Sequence, residues 1–316
     1  MKLLTIIFLI SSSFAYAQLP TPPEIIAHFR VNGGIEQVLN PGQPTTVEIW
    51  FSDNQTGKVY TDLLKVDGKY MHMMIIKDDL SIIKNVYPYY DATNGRFLIT
   101  LNMPLEDQDN QNTAQTLFIP GSYRIVADIE SQSVGLRTAH IPIFIQGEYE
   151  SKPLELDPVD GDFSVTKFFK QEDTEYKVRM SHSIIVGCFG FIVDFEVLIS
   201  EKNDAGDFVA INNITPWLER GAHSVLTSEG LYNQFNELHY LRIAADLPLE
   251  PGKLFFRFND RNMLKQGIQK IWFKLKQEDK FLTFPFVFEY YPPLEEGNTS
   301  PDCNNKQSMH TDYLHF

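Results

Sequence analysis

Cysteine is nearly missing from this chain: there are two, Cys188 and Cys303. A scaffold built from disulfides is therefore excluded, and any core must be hydrophobic. Positive charge is also scarce, with 27 Lys+Arg against 41 Asp+Glu. Nucleic acid and anionic membrane surfaces both need basic patches, so neither is expected as a partner. Long apolar runs are lacking beyond the N-terminus. The best internal candidate, Gly187–Ile199, is too short to span a bilayer and is broken by Asp194 and Glu196. Catalytic signatures are missing as well. There is no Gly-x-Ser-x-Gly elbow, His-Glu-x-x-His, phosphate-cradling glycine loop or Cys-x-x-Cys. Asp107–Asn112 has the acidity of a calcium loop but lacks its glycine and closing glutamate. The expectation is a non-enzyme.

Several features are present. Lys2, the apolar run Leu3–Ile10 and the small residues of Ala15-Tyr16-Ala17 read as a secretory signal over residues 1–17. The mature chain is then expected to be exported, extracellular and without membrane insertion. An export route permits a Cys188–Cys303 bridge. A buried free Cys188 with an exposed Cys303 stands equally, because their separation is not fixed by sequence.

Strand signals fill the rest. Val47, Ile49 and Phe51 alternate with Glu48 and Trp50, a half-buried period of two. Similar segments recur between Gly, Asn, Asp and Pro clusters, and no stretch carries capped helical periodicity. In the second half the strands expected include Glu175–Met180 and Ile184–Ser200. The pattern predicts an all-β chain of two tandem β-sandwich domains. Their expected limits are 18–147 and 148–291, with Glu148–Gly161 as linker and entry and a disordered polar tail over 292–316.

A duplication underlies the two domains. Met71–Pro88 (MHMMIIKDDLSIIKNVYP) recurs in blurred form as Ala222–Tyr240 (AHSVLTSEGLYNQFNELHY). Aligning Gly121–Ile125 with Gly267–Ile271 sets Ile125, Ala127 and Ile129 on Ile271, Phe273 and Leu275. Arg124 and Asp128 then fall on Lys270 and Lys274, the opposite face.

The first of these segments resembles a family of secreted bacterial proteins with an MHLIVV–DL–HLHP signature. Met71, His72, Ile75, Asp79, Leu80 and Pro88 occupy its positions, and Pro120–Ile129 and Gly267–Val287 resemble its continuation. The resemblance implies tandem immunoglobulin-like sandwiches and, through the family's histidines, an association with copper or another heavy metal. The closing histidines are replaced here by Asn85 and Tyr87. In the second copy Glu237 replaces one, His239 remains, and Tyr240 stands where proline is expected.

Candidate ligands follow from this arrangement. His72 shares a strand face with Met74 and Ile76, away from Met71 and Met73, and is expected to be a hydrogen-bonded, half-buried histidine. A hairpin-like return could join His223, His239 and Glu237, two imidazoles and a carboxylate suited to copper or zinc. Asn54, Asn213 and Asn298 head glycosylation sequons, Asn54 in the most turn-like setting. The leading expectation is a secreted, non-catalytic binding or structural protein whose partner is an extracellular protein or a glycan. The alternative is an extracellular copper-binding protein using the second-module histidines.

Overall fold

The computed structural model describes residues 25–101 and 119–290, apart from 35–37, 42, 152, 163, 188–189, 233–237 and 261–265, and adds residues 308–309 and 314–315. The first module holds β1 (Ile25–Val31), β2 (Val38–Leu39), β3 (Thr45–Asp53), β4 (Leu63–Leu64) and β5 (Met71–Lys77). It continues with β6 (Ile83–Val86), β7 (Tyr89–Asp91), β8 (Arg96–Leu101), β9 (Gly121–Ser131) and β10 (Gly135–Ile145). One sheet has the order β1-β3-β8-β7; the other runs β2-β10-β9-β5-β6, with β4 also on β9.

The second module follows the same plan. Its strands are β11 (Val165–Gln171), β12 (Thr174–Gly187), β13 (Gly190–Lys202), β14 (Phe208–Ala210) and β15 (Ile214–Thr215). Next come β16 (Ala222–Tyr232), β17 (Leu238–Ala245), β18 (Lys253–Asp260), β19 (Gly267–Gln277) and β20 (Lys280–Tyr290). The sheets are β11-β12-β13-β14, with β18 on β13, and β17-β16-β19-β20, with β15 on β19. The chain is all-β, two tandem immunoglobulin-like sandwiches.

Each module closes on its own core because inward positions alternate along the strands. Val47, Ile49, Phe97 and Ile99 of one sheet meet Met73, Ile75, Ile125 and Ala127 of the other. In module 2, Val178, Phe195 and Phe256 meet Leu226, Ile271, Phe273 and Phe286. The duplicated strands hold equivalent places. Strand β5 pairs with β9 through Ile75–Ile125 and His72–Asp128, as β16 pairs with β19 through Leu226–Ile271 and His223–Lys274.

Strand β5 is buried along its whole length, which explains why MHMMIIK does not alternate. Met71, Met73 and Ile75 face the module 1 core. Met74 and Ile76 face away, yet with Leu80 and Val126 they form a second cluster with Val225 and Trp272 of module 2. The outer faces of the two duplicated sheets are thus packed on each other. Leu154, in the segment between the modules, packs against this cluster. Asp157 binds module 2 directly: its backbone N–H donates to the Val287 carbonyl at 3.0 Å and its carboxylate accepts the Val287 N–H at 2.8 Å.

Two segments differ from expectation. The run Ile184–Ser200, read as one strand, is the end of β12 and most of β13, which pair from Tyr176–Glu201 up to Gly187–Gly190. Periodicity cannot register this reversal, because both arms are equally apolar. In the expected disordered tail, β21 (Ser308–Met309) pairs with β12 at Ile184 and Ile185, and β22 (Leu314–His315) with β20 at Glu289 and Tyr290. The cause is local: β11 covers β12 only through residues 174–180, leaving backbone donors and acceptors further along for another strand.

Candidate functional site

Both repeat histidines do the same local work. The hairpin before β5 is Val66-Asp67-Gly68-Lys69, with φ of 47° at Asp67 and 76° at Gly68, and Val66 and Lys69 exchange backbone hydrogen bonds of 2.9 and 3.1 Å. Its counterpart before β16 is Trp217-Leu218-Glu219-Arg220, with φ of 52° and 64° and bonds of 2.7 and 3.2 Å. Positive φ at two central residues defines the tight hairpin turn that matches strand twist. Leu218 and Glu219 adopt it without glycine, so their turn carries strain. In each module the histidine reaches back to the turn. His72 Nε2–H donates to the Val66 carbonyl at 2.7 Å and His223 Nε2–H to the Trp217 carbonyl at 3.0 Å. A carbonyl only accepts, so this contact fixes both rings with hydrogen on Nε2.

The two turns face one another across the interface. Asp67 accepts from Arg220 Nε at 3.3 Å and from Arg242 Nη1 at 3.2 Å. Arg242 Nε also lies 4.0 Å from Asp128. Between the turns sits a cavity of about 20 Å³, room for a single water-sized molecule, lined by His72, Met74, Asn85, Tyr87, His223 and Arg242. The ring of Tyr87 meets His72 edge-on at 6.4 Å and Trp217 at 6.3 Å. Burial pushes the Tyr87 phenol well above its ordinary value. Burial, then the Arg242 charge, lowers His72 to about 4, while the Val66 carbonyl and Asp67 act in the opposite direction. His223 is lowered chiefly by burial, with the Trp217 carbonyl and Asp67 opposing. Both imidazoles are neutral at physiological pH.

These residues do not fit a zinc or copper centre. The Nε2–H bonds to the turn carbonyls leave Nδ1 as each ring's lone pair, but two imidazoles fall short of the three or four ligands such a centre needs, and the Arg242 guanidinium lining the same cavity repels a cation. Among the described residues no three His, Cys, Asp or Glu side chains are grouped to hold a metal. The expected trio is not assembled by the strand register either. His223 pairs with Ala244 near the end of β17, whereas His239 lies near its start; Glu237 lies outside the described residues. The neighbour His223 does have is His72, from the other module, which no spacing within one repeat could indicate.

The remaining candidates are scattered. Asn54 is exposed in the turn after β3, where Asp53 Oδ1 accepts from the Gln55 and Thr56 N–H groups at 3.0 and 2.7 Å. The side chain of Asn213 is engaged at both ends, donating to Glu278 and accepting from Gln277, each at 2.7–2.8 Å. Asn298, Cys188, Cys303, the 107–112 stretch and the expected signal segment 1–17 lie outside the described residues. The neighbouring carboxylates Asp78 and Asp79 both have basic partners. Lys77 and Asp79 form a buried pair at 2.7 Å, and Asp78 lies 3.6 Å from Arg124.

A larger concavity opens on module 1 beside the same turn. It is a groove of about 570 Å³ between residues 65–71 and the edge formed by β7 and β8. Four tyrosines line it: Tyr70, Tyr87, Tyr89 and Tyr90. Tyr90 is anchored to the core through Phe97 at 4.7 Å and carries Tyr70 at 4.9 Å. Tyr89 is 71% exposed. Lys65 Nζ stands 5.1 Å from the Tyr70 ring centre and Lys69 Nζ 5.2 Å from that of Tyr87, so both ammonium groups are held over aromatic faces. Among the described residues no carboxylate lines the groove, although Glu219 of module 2 approaches Gly68 at its rim. Sequence reasoning missed this site. Its signal was the run Tyr87-Pro88-Tyr89-Tyr90 following Lys65 and Lys69, residue types that strand patterning treats as ordinary surface.

No family model matches the chain, and no curated protein matches it. Among solved structures, the tetra-tandem repeat in the extending region of a large adhesion protein is similar over 83% of this chain at 8% identity and a TM-score of 0.23. This chain spans about half of that one, 49%. A structure described for host cell surface retention of a 1.5-MDa bacterial ice-binding adhesin matches over 84% of this chain and 97% of its own, at 10% identity and TM-score 0.22. Spo0M, a sporulation control protein from Bacillus subtilis, matches over 83% and 90%, at 11% identity and TM-score 0.21. Likeness at this level assigns no function.

Proposed function

We propose that this is an exported, non-catalytic binding protein whose recognition surface is the tyrosine–lysine groove of module 1, with module 2 bracing it. The observation that carries this reading is the groove itself: an open concavity with a rigid aromatic floor and two cations. Large, stiff aromatic side chains give contact area at small entropic cost, the composition favoured where proteins recognise ligands. The floor is held from below through Tyr90 and Phe97 and from the side through Tyr87, which abuts the interdomain histidine turn. Module 2 therefore supports the wall of the groove. Extracellular location is part of the proposal and rests on the N-terminal export signal.

The test is amide chemical-shift mapping of the mature protein against a panel of oligosaccharides and peptides. Perturbations concentrated on residues 65–71 and 89–100 are the expected outcome. Binding that perturbs only module 2 would overturn the assignment of the groove.

A further inference from the structure

Resting on the reading of the groove as the recognition surface, the geometry points to its ligand class: an acidic saccharide, one carrying carboxylate or sulfate groups. Three observations carry this inference. First, the charged side chains lining the groove are cationic in an acidic molecule. The chain carries a formal net charge of −14, yet the charged side chains lining this groove are Lys65 and Lys69. Carboxylates stand outside this lining, Glu219 at the rim beside Gly68 and Asp62 and Asp91 within electrostatic reach of Tyr90, so the two ammonium groups are the points at which an anionic group would be held.

Second, the ammonium groups are placed. Each stands over a tyrosine ring at 5.1–5.2 Å, which holds the long lysine stems and leaves hydrogens of the ammonium free to pair with an acidic group. Third, the remaining surface offers what a sugar ring uses. The exposed ring of Tyr89 sits opposite Leu98 in the β7–β8 pairing and offers an aromatic face on which the C–H face of a pyranose can stack. The exposed Tyr89 hydroxyl and Thr100 supply hydrogen-bonding groups for ring hydroxyls, whereas the Tyr90 hydroxyl already donates to the Thr61 carbonyl. The edge strand β7 also borders the groove, so an acidic peptide adding a strand there is the competitor that the test must separate. At about 570 Å³ the groove has the scale of a small-ligand site, enough for a short stretch of a glycan.

The experiment uses the mature full chain and three probes: a uronic-acid oligosaccharide, a neutral glucan oligosaccharide of equal length, and a poly-glutamate peptide. Affinity is read by calorimetry, and position by chemical-shift mapping. The variants are Tyr89→Ala and the double variant Lys65→Glu/Lys69→Glu, all at exposed or half-exposed positions, with thermal melts checking that the fold is kept. The expected result is that the acidic oligosaccharide binds in the groove. Tyr89→Ala should weaken it about five-fold through loss of one aromatic contact, and the double lysine variant should abolish detectable binding. Raising salt from 0.05 to 0.5 M should weaken it further, as screening requires.

Equal binding of the neutral oligosaccharide, unaffected by the lysine variant, would overturn the acidic class while keeping the groove as the site. Groove binding of poly-glutamate alone would overturn the saccharide. Binding that ignores both variants and maps elsewhere would overturn the groove reading itself.

Discussion

At the scale of single residues, the decisive contacts are those of His72 and His223. Each replaces water for one buried turn carbonyl, and in module 2 it also holds a turn whose central residues, Leu218 and Glu219, lack the freedom of glycine. His223→Ala should therefore cost about 1–3 kcal/mol, the penalty for an orphaned buried acceptor, measured by urea unfolding. The pH dependence follows from the depressed pKa values. Burial makes both rings harder to protonate folded than unfolded, so the unfolded chain binds more protons. Stability should fall as pH drops below the ordinary histidine value of about 6.5, continuing down to about 4 for His72. Unfolding free energies of wild type and His72→Asn between pH 7 and 4 check this, with a shallower slope expected for the variant. Lys274 is a second liability, a half-buried ammonium. Its ammonium lies 5.3 Å from the Trp217 ring centre and 5.6 Å from that of Phe281, and desolvation lowers it to about 8. Lys274→Met should stabilise the protein by about 1–2 kcal/mol at neutral pH, visible as a raised melting temperature.

At the scale of elements, the paired turns act as a clasp. Asp67 is held by two guanidiniums from the other module, and its side chain is only 12% exposed. Asp67→Asn leaves Arg220 with Asp246 and Arg242 with the more distant Asp128. A loss of about 1–3 kcal/mol is expected, together with faster hydrogen exchange at the turns 66–69 and 217–220. The turn Val66-Asp67-Gly68-Lys69 was legible in the sequence as Asp-Gly between strands. Its counterpart Trp217-Leu218-Glu219-Arg220 was not, because neither central residue is a usual turn former. The inward faces of β9 and β19 were legible too, because their outer positions include the charged Arg124, Asp128, Lys270 and Lys274, although Val126 and Trp272 on those faces are buried against the other module. Strand β5 does not alternate because both its faces are buried, one by its own module and one by its neighbour.

At the scale of the whole molecule, the two sandwiches are joined through Met74, Ile76, Leu80 and Val126 against Val225 and Trp272. Lys270 adds a hydrogen bond to the Leu80 carbonyl at 2.8 Å. Val126 is fully buried in this contact, so Val126→Asp, which inserts an unpaired charge, should part the modules at a cost of about 3 kcal/mol or more. Small-angle scattering should then show a longer particle, and calorimetry two transitions where the wild type gives one. The sequence by itself determined the all-β class, the duplication and the inward faces of the repeated strands, because alternation and turn chemistry are local properties of the chain. It also marked the histidines as special, but not what they do. Only the tertiary structure decided that His223 sits with His72 and not with His239, that Asp67 clasps two arginines, and that four tyrosines and two lysines share a groove. Those pairings depend on how one sheet's outer face packs on another, and that choice is made by side chains far apart in the chain.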